Sequence, residues 1–140
     1  MKPSILLLAA IAHHSIAGVY DGDRKVTVEG VIVQFQFVNP HPFVTLEVQT
    51  PNADPQRWRL EMDNRPELVD AGMTSETLRP GDRVIVTGSP ARAPQSQSLY
   101  IRRLERPSDG FWYEQVGSSP RIRGKGRQSA RPTEREGLRP

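Results

Sequence analysis

The sequence predicts a mainly β protein, with its strands wrapped around one small core and a single helical interruption. Three observations carry that expectation. Five segments between Lys25 and Leu104 alternate apolar and polar residues with heavy β-branching, the period-two pattern of strands that bury one face. The alternation lapses once, between Arg65 and Leu78, where Pro66 suits a first helical turn, Leu68 and Val69 can face a core and Gly72 can end the helix. A chain of 140 residues suits one domain. Three strands, a short helical insert and two more strands are the order of a five-stranded OB-like barrel; an open meander with a packed helix is the alternative, and closure, which would remove exposed strand edges, favours the barrel.

The elements follow one another clearly. Lys25 to Val38 reads as one long strand, and Gly30 within it marks a bulge or sharp bend, which lets a first strand serve both halves of a small barrel. Asn39-Pro-His-Pro42 is a turn, because two closely spaced prolines cannot sit in a paired central strand. Phe43 to Val48 forms the second strand, Thr50 to Pro55 a loop, and Gln56 to Met62 the third strand, with Trp58, Leu60 and Met62 on one face. After the helical insert, Leu78-Arg-Pro-Gly-Asp82 is a tight turn in which Pro80 sets φ and Gly81 accepts a positive one. Arg83 to Gly88 and Leu99 to Leu104 complete the five strands, so the barrel domain is expected over 25–105.

The ends have a different character. Met1-Lys2, the apolar run Ile5 to Ala12 and the A-x-A pattern Ala10-Ile-Ala12 resemble a short or truncated secretory leader over 1–12. The competing structural reading is a short apolar strand or helix packed on the body. The run is too short for a membrane-spanning helix, which needs about 20 apolar residues. Residues 13–24 form an N-terminal segment, and 106–116 an extension whose Phe111-Trp-Tyr113 either caps the core or offers a stacking platform. Residues 117–140, rich in Ser, Gly, Arg and Pro, read as a disordered basic tail. Seven Arg and Lys against two Glu from Ser118 onward make that tail more basic than the whole chain, whose net charge is +3. Apolar residues make up only 36 % of the chain, in keeping with an unpacked part.

Cysteine is absent, so disulfides and thiolate metal sites are excluded. The three histidines are the residues with metal chemistry. His13 and His14 directly follow the expected cleavage point, and His41 lies in the turn after the first strand. Cleavage after Ala12 would give His13 a free α-amine, and amine, His13 and His41 could then hold one ion in a T-shaped nitrogen set, a histidine brace. Nitrogen-only ligation suits Cu(II), at the top of the affinity order for divalent first-row metals; zinc is also served by imidazole. If Ala12 were terminal, Ala-His-His would place His14 third, an arrangement that binds Cu(II) or Ni(II) through amine, amides and imidazole. The plain alternative is that His13 and His14 are solvated and His41 holds its turn by a hydrogen bond.

Other chemistry is poorly represented. No pair of carboxylates has the context of an acid and a base, and no nucleophile elbow, phosphate loop or H-E-x-x-H helix occurs. The expectation is a protein that is not an enzyme. OB-type barrels can bind single-stranded nucleic acid through basic grooves and aromatics, but Phe35, Phe37, Phe43, Trp58 and Tyr100 are mostly assignable to core. Only the tail is basic. It could give a weak, salt-dependent attraction to anionic surfaces, and export argues against nucleic acid as a physiological partner.

Ala12-His-His-Ser15, Tyr20-Asp21, Val28-Glu-Gly30, Asn39-Pro-His41, Leu78-Arg-Pro-Gly-Asp82 and Val84 to Gly88 together resemble a family of small exported bacterial proteins of unknown function, over about Ala12 to Leu104. That resemblance implies export and a small β-barrel, and it supplies no activity. The abbreviated leader and the Arg-rich extension depart from the pattern. Two functions are therefore expected. One is a periplasmic or secreted protein that binds Cu(II) or a similar ion through His13, His14 and His41; the other is a metal-free interaction module whose barrel face binds a protein, peptide or envelope component.

Overall fold

The computed structural model describes residues 16–124. The expected leader over 1–12, His13, His14 and the residues from 125 onward lie outside that span. The elements are α1 (Ile16–Val19), β1 (Val26–Gln36), β2 (Phe43–Thr50), β3 (Ala53–Glu61), α2 (Arg65–Asp70), β4 (Arg83–Pro90), β5 (Ser98–Arg106), β6 (Phe111–Val116) and β7 (Ser119–Arg123). They form one seven-stranded sheet in the order β3-β2-β1-β4-β5-β6-β7. Neighbours in that order are antiparallel. In addition β3 pairs in parallel with β5, Arg59 to Glu61 lying opposite Ser98 to Tyr100. The pairings therefore join β1, β2, β3, β5 and β4 in a cycle, and β6 and β7 extend from β5 as a hairpin.

The long first strand serves two partners: Val26 to Val31 faces β4, and Val31 to Gln36 faces β2. Gly30 sits at the handover, where a Cβ would collide with the Glu47 carbonyl. Its role is this close backbone approach. The register shift that bends the strand falls further on, between Ile32 and Gln34.

Residues 53–55, expected as loop, belong to β3. Thr50 pairs with Ala53 around Pro51-Asn52, and Asn52 takes a positive φ of 57°, a conformation that Asn tolerates better than most residues. Pro55 is accommodated because β3 meets β5 only from Arg59 onward. Before that point the strand has one partner, and a missing N–H on the other side costs no ladder bond.

The helical insert forms as the sequence predicts, in one short piece. Asn64 caps α2, its side chain accepting from the Glu67 N–H at 3.0 Å; Pro66 lies in the first turn and Gly72 follows the helix at φ 101°. The expected turn at Arg79 to Asp82 is present, with Asp82 N–H donating to the Arg79 carbonyl at 3.1 Å and Gly81 at φ 93°.

Two expectations need correction. The five-stranded count omits the β6–β7 hairpin, and the tail expected to be disordered from 117 contributes Ser119–Arg123 as a strand paired with β6. Ile122 packs against the core from β7. In β6 the aromatics split by alternation: Phe111 and Tyr113 are buried, while Trp112 lies on the other face, with the Arg103 guanidinium 5.2 Å from its ring centre. The core is otherwise aliphatic, built from residues such as Ile32, Val44, Leu46, Leu60, Val84, Val86, Leu99, Ile101 and Leu104. Phe35, Phe37 and Phe43 are only partly buried at its margin; Phe35 and Phe37 pack against each other at 5.6 Å, and Arg59 covers Phe43 at 4.1 Å.

Candidate functional site

His41 is the one expected ligand within the described residues, and the chain around it is firmly held. The turn carrying it lies against the junction of β3 and α2. Met62 N–H donates to the Pro42 carbonyl and Arg65 N–H to the Pro40 carbonyl, both at 2.9 Å. The Arg65 side chain donates through Nε to the Phe37 carbonyl at 3.2 Å, with its guanidinium 5.0 Å from the Phe37 ring centre. The Asn39–Pro40 peptide bond is cis.

The imidazole itself is oriented by a fourth bond from the same junction. His41 Nδ1 lies 2.7 Å from the Met62 carbonyl oxygen. A carbonyl can only accept, so Nδ1 carries the proton and Nε2 of the neutral ring keeps its lone pair. Glu61 Oε1 stands 3.7 Å from the same Nδ1. An imidazole held at one nitrogen by a carbonyl or carboxylate, with the other nitrogen open, is the usual outer support of a metal-binding histidine. The ring is partly exposed, at 27 %.

Glu61 also reaches the N-terminal segment. Tyr20, which follows α1, donates its hydroxyl to Glu61 Oε2 at 2.5 Å. The Tyr20 ring is buried against Tyr100 at 5.8 Å. Burial first, then the Glu61 hydrogen bond and charge, push the Tyr20 hydroxyl well above the usual phenol range, so it remains a donor. Behind Tyr20 a cleft of about 340 Å³ is lined by Ile16, Ala17, Asp63, Tyr100, Arg102 and Gln115 among others. Its floor is a satisfied polar chain: Tyr113 donates to Gln115 Oε1 at 2.8 Å, and Gln115 Nε2 to Asp63 Oδ2 at 2.6 Å. Glu67 Oε2 is buried without a hydrogen-bond partner, and the adjoining Asp63 carboxyl pushes the Glu67 carboxyl above its ordinary range. A proton on Glu67 would let these two acidic groups share a hydrogen bond.

Sequence reasoning singled out His13, His14 and His41. The structure places His41 beside Glu61, while His13 and His14 lie outside the described residues. Among the described residues no three His, Asp or Glu side chains come together as a metal-binding group, and no helix is long and apolar enough to cross a membrane. Glu61 and Tyr20 were missed as members of the site. They are 41 positions apart, and nothing in either local pattern announces the contact.

The fold and the site define a class: a small, mainly β protein with a braced, solvent-reachable imidazole at one end of its sheet. Residues 4–100 match the Family of unknown function (DUF6152), and the chain belongs to that family. No curated protein matches it.

Proposed function

We propose that this protein is an exported OB-type β-barrel that binds Cu(II) or a similar ion through the N-terminal histidines and His41. The carrying observation is the bond from His41 Nδ1 to the Met62 carbonyl, which leaves Nε2 as the ligand atom on a turn held by three further hydrogen bonds. A preset ring loses little freedom when it takes a metal, which favours affinity.

Two features support the rest of the reading. The strand cycle through β1, β2, β3, β5 and β4 with α2 between β3 and β4 has the connectivity of an OB barrel. The N-terminal segment is tied by Tyr20 to the carboxylate that flanks His41. His14 stands two residues before α1 (Ile16–Val19) and six before Tyr20, so the N-terminal histidines adjoin the segment that carries this tie. The apolar Ile5 to Ala12 run and its A-x-A end support export and the processing that would free an amine at His13.

The test is a Cu(II) competition titration on processed, untagged protein, with N-terminal sequencing of the product from fractionated cells. One Cu(II) per chain is expected, with affinity falling at least tenfold in His41→Ala and in His13→Ala. Wild-type affinity in His41→Ala would refute the proposal and favour the metal-free interaction module. An intact Met1 on cytoplasmic protein would refute export.

A further inference from the structure

We infer that the cleft behind Tyr20 binds a small monocarboxylate, whose oxygens accept hydrogen bonds from the Arg102 guanidinium and the Tyr100 hydroxyl. The carboxylate site shares no residue with the proposed metal ligands and stands without them.

The site is built on a β-bulge. In the β4–β5 pairing Ile101 lies opposite Gly88 and Arg103 opposite Thr87, so Arg102 is the extra residue of β5. A bulge re-aims the side chain it carries. Gly88 allows the strands to approach there, because a Cβ would collide with the Tyr100 carbonyl. The Arg102 guanidinium lies 5.0 Å from the Tyr100 ring centre, and its Nε donates to the buried Ser89 Oγ at 3.2 Å. Those contacts restrain its plane and leave both terminal nitrogens without a hydrogen-bond or ion-pair partner among the described residues.

Tyr100 supplies the second donor. It is 4 % exposed and lines the same cleft of about 340 Å³. Tyr20 gives its hydroxyl to Glu61 and Tyr113 gives its own to Gln115, whereas the Tyr100 hydroxyl has no partner among the described residues. Buried phenols usually find one, so an open hydroxyl in a cleft points to a ligand. Burial first, then the Asp63 charge, hold this phenol above its ordinary range, which keeps it a donor.

The other polar walls are occupied. Asp63 accepts from Gln115 and from the Asn64 N–H, at 2.6 and 2.7 Å, and the Gln115 amide is used at both its oxygen and its nitrogen. The open side-chain groups therefore offer donors, which select an acceptor-only ligand group. A carboxylate matches the planar pair of guanidinium nitrogens, and the neighbouring Asp63 charge disfavours a phosphate dianion. Ile16 and Ala17 add apolar wall, so the acid carries a short apolar body. The volume is at the lower end for small-molecule sites.

The experiment titrates metal-free protein with butyrate at neutral pH and follows the backbone amides by NMR, with butyramide and inorganic phosphate as comparison probes. Saturable shifts are expected with butyrate at Gly22, Tyr100, Arg102 and Gly117, with weaker binding of both other probes. Arg102→Gln and Tyr100→Phe should each bind butyrate about tenfold more weakly, as expected for loss of a hydrogen bond to a charged group. Lys25→Ala should bind as wild type, since Lys25 lines only the adjoining cleft on the other side of Arg102. Thermal unfolding checks that each variant folds; should Arg102→Gln fail, Arg102→Lys keeps the charge without the planar pair and should lose affinity as well. No saturable shift with butyrate, binding of phosphate or butyramide as tight as that of butyrate, wild-type affinity in Arg102→Gln, or an equal loss in Lys25→Ala would overturn the site. None of these outcomes involves copper, so each leaves the metal proposal to its own test.

Discussion

Arg106 shows at the residue scale how a charge becomes structural. It is only 2 % exposed, yet all three of its guanidinium nitrogens donate hydrogen bonds. It donates to the Thr77 carbonyl at 2.7 Å, to Asp82 at 2.8 Å and through two nitrogens to Asp109 at 2.9 and 2.8 Å. Its charged end also lies 4.8 Å from the Phe111 ring centre. One side chain thereby ties the turn before β4 to the turn between β5 and β6. Arg106→Met keeps the volume but removes the buried positive charge that Asp82 and Asp109 face, so we expect a loss of about 3 kcal/mol, the low end for breaking a buried pair, because Asp82 and Asp109 keep the Arg79 and Phe111 N–H donors and Asp109 is 39 % exposed. Urea unfolding of the variant measures it. In sequence, Arg106 is simply the last residue of an Arg-rich strand, indistinguishable in type from Arg102 and Arg103. The carboxylates that draw it inward come from Asp82 and Asp109, and that encounter is not written locally.

Elements repeat the contrast between local and distant causes. The strands β1 to β5, the α2 insert, its Gly72 stop and the Gly81 turn were legible, because alternation, capping residues and φ preferences act over a few neighbouring residues. Gly30 was legible as special but not for its reason. The collision its Cβ would make is with the Glu47 carbonyl across the β1–β2 pairing, a contact created by tertiary pairing. Gly30→Ala should therefore destabilise by about 1–3 kcal/mol, the usual cost of forcing extra volume into a packed site. Gly22→Ala, where a Cβ meets nothing within 4 Å, should leave stability nearly unchanged; paired thermal unfolding of the two variants checks the difference. The β6–β7 hairpin was not legible. Ser119–Arg123 carries one large apolar residue, Ile122, so composition reads as tail, whereas pairing with β6 and packing of Ile122 on the core supply the missing stabilisation.

On the scale of the whole molecule, all three tyrosines of the chain lie in the interior: Tyr20, Tyr100 and Tyr113 are at most 5 % exposed. Desolvation is the largest cause in each case, and it pushes every one of these phenols above its ordinary value near 10. A folded pKa raised above the unfolded one gives stability that is complete below the unfolded value and falls as pH rises past it. We therefore expect the tyrosines' contribution to stability to be constant through neutral pH and to drop above pH 10, by about 1.4 kcal/mol per pH unit for each tyrosine still protonated in the fold. Ultraviolet titration should show phenolate appearing together with loss of the near-ultraviolet circular dichroism signal; smooth titration near pH 10 in folded protein would contradict the burial. By itself the sequence determined the β class, most strand positions, the turn chemistry and His41 as a candidate ligand, because period, φ preference and residue chemistry are local properties. Only the tertiary structure decided that β3 meets β5, that residues 111–123 complete the sheet, and that Tyr20 and Glu61 converge on the His41 turn. Those outcomes depend on which distant surfaces bury one another and satisfy one another's hydrogen bonds, and no short window of the chain contains both partners.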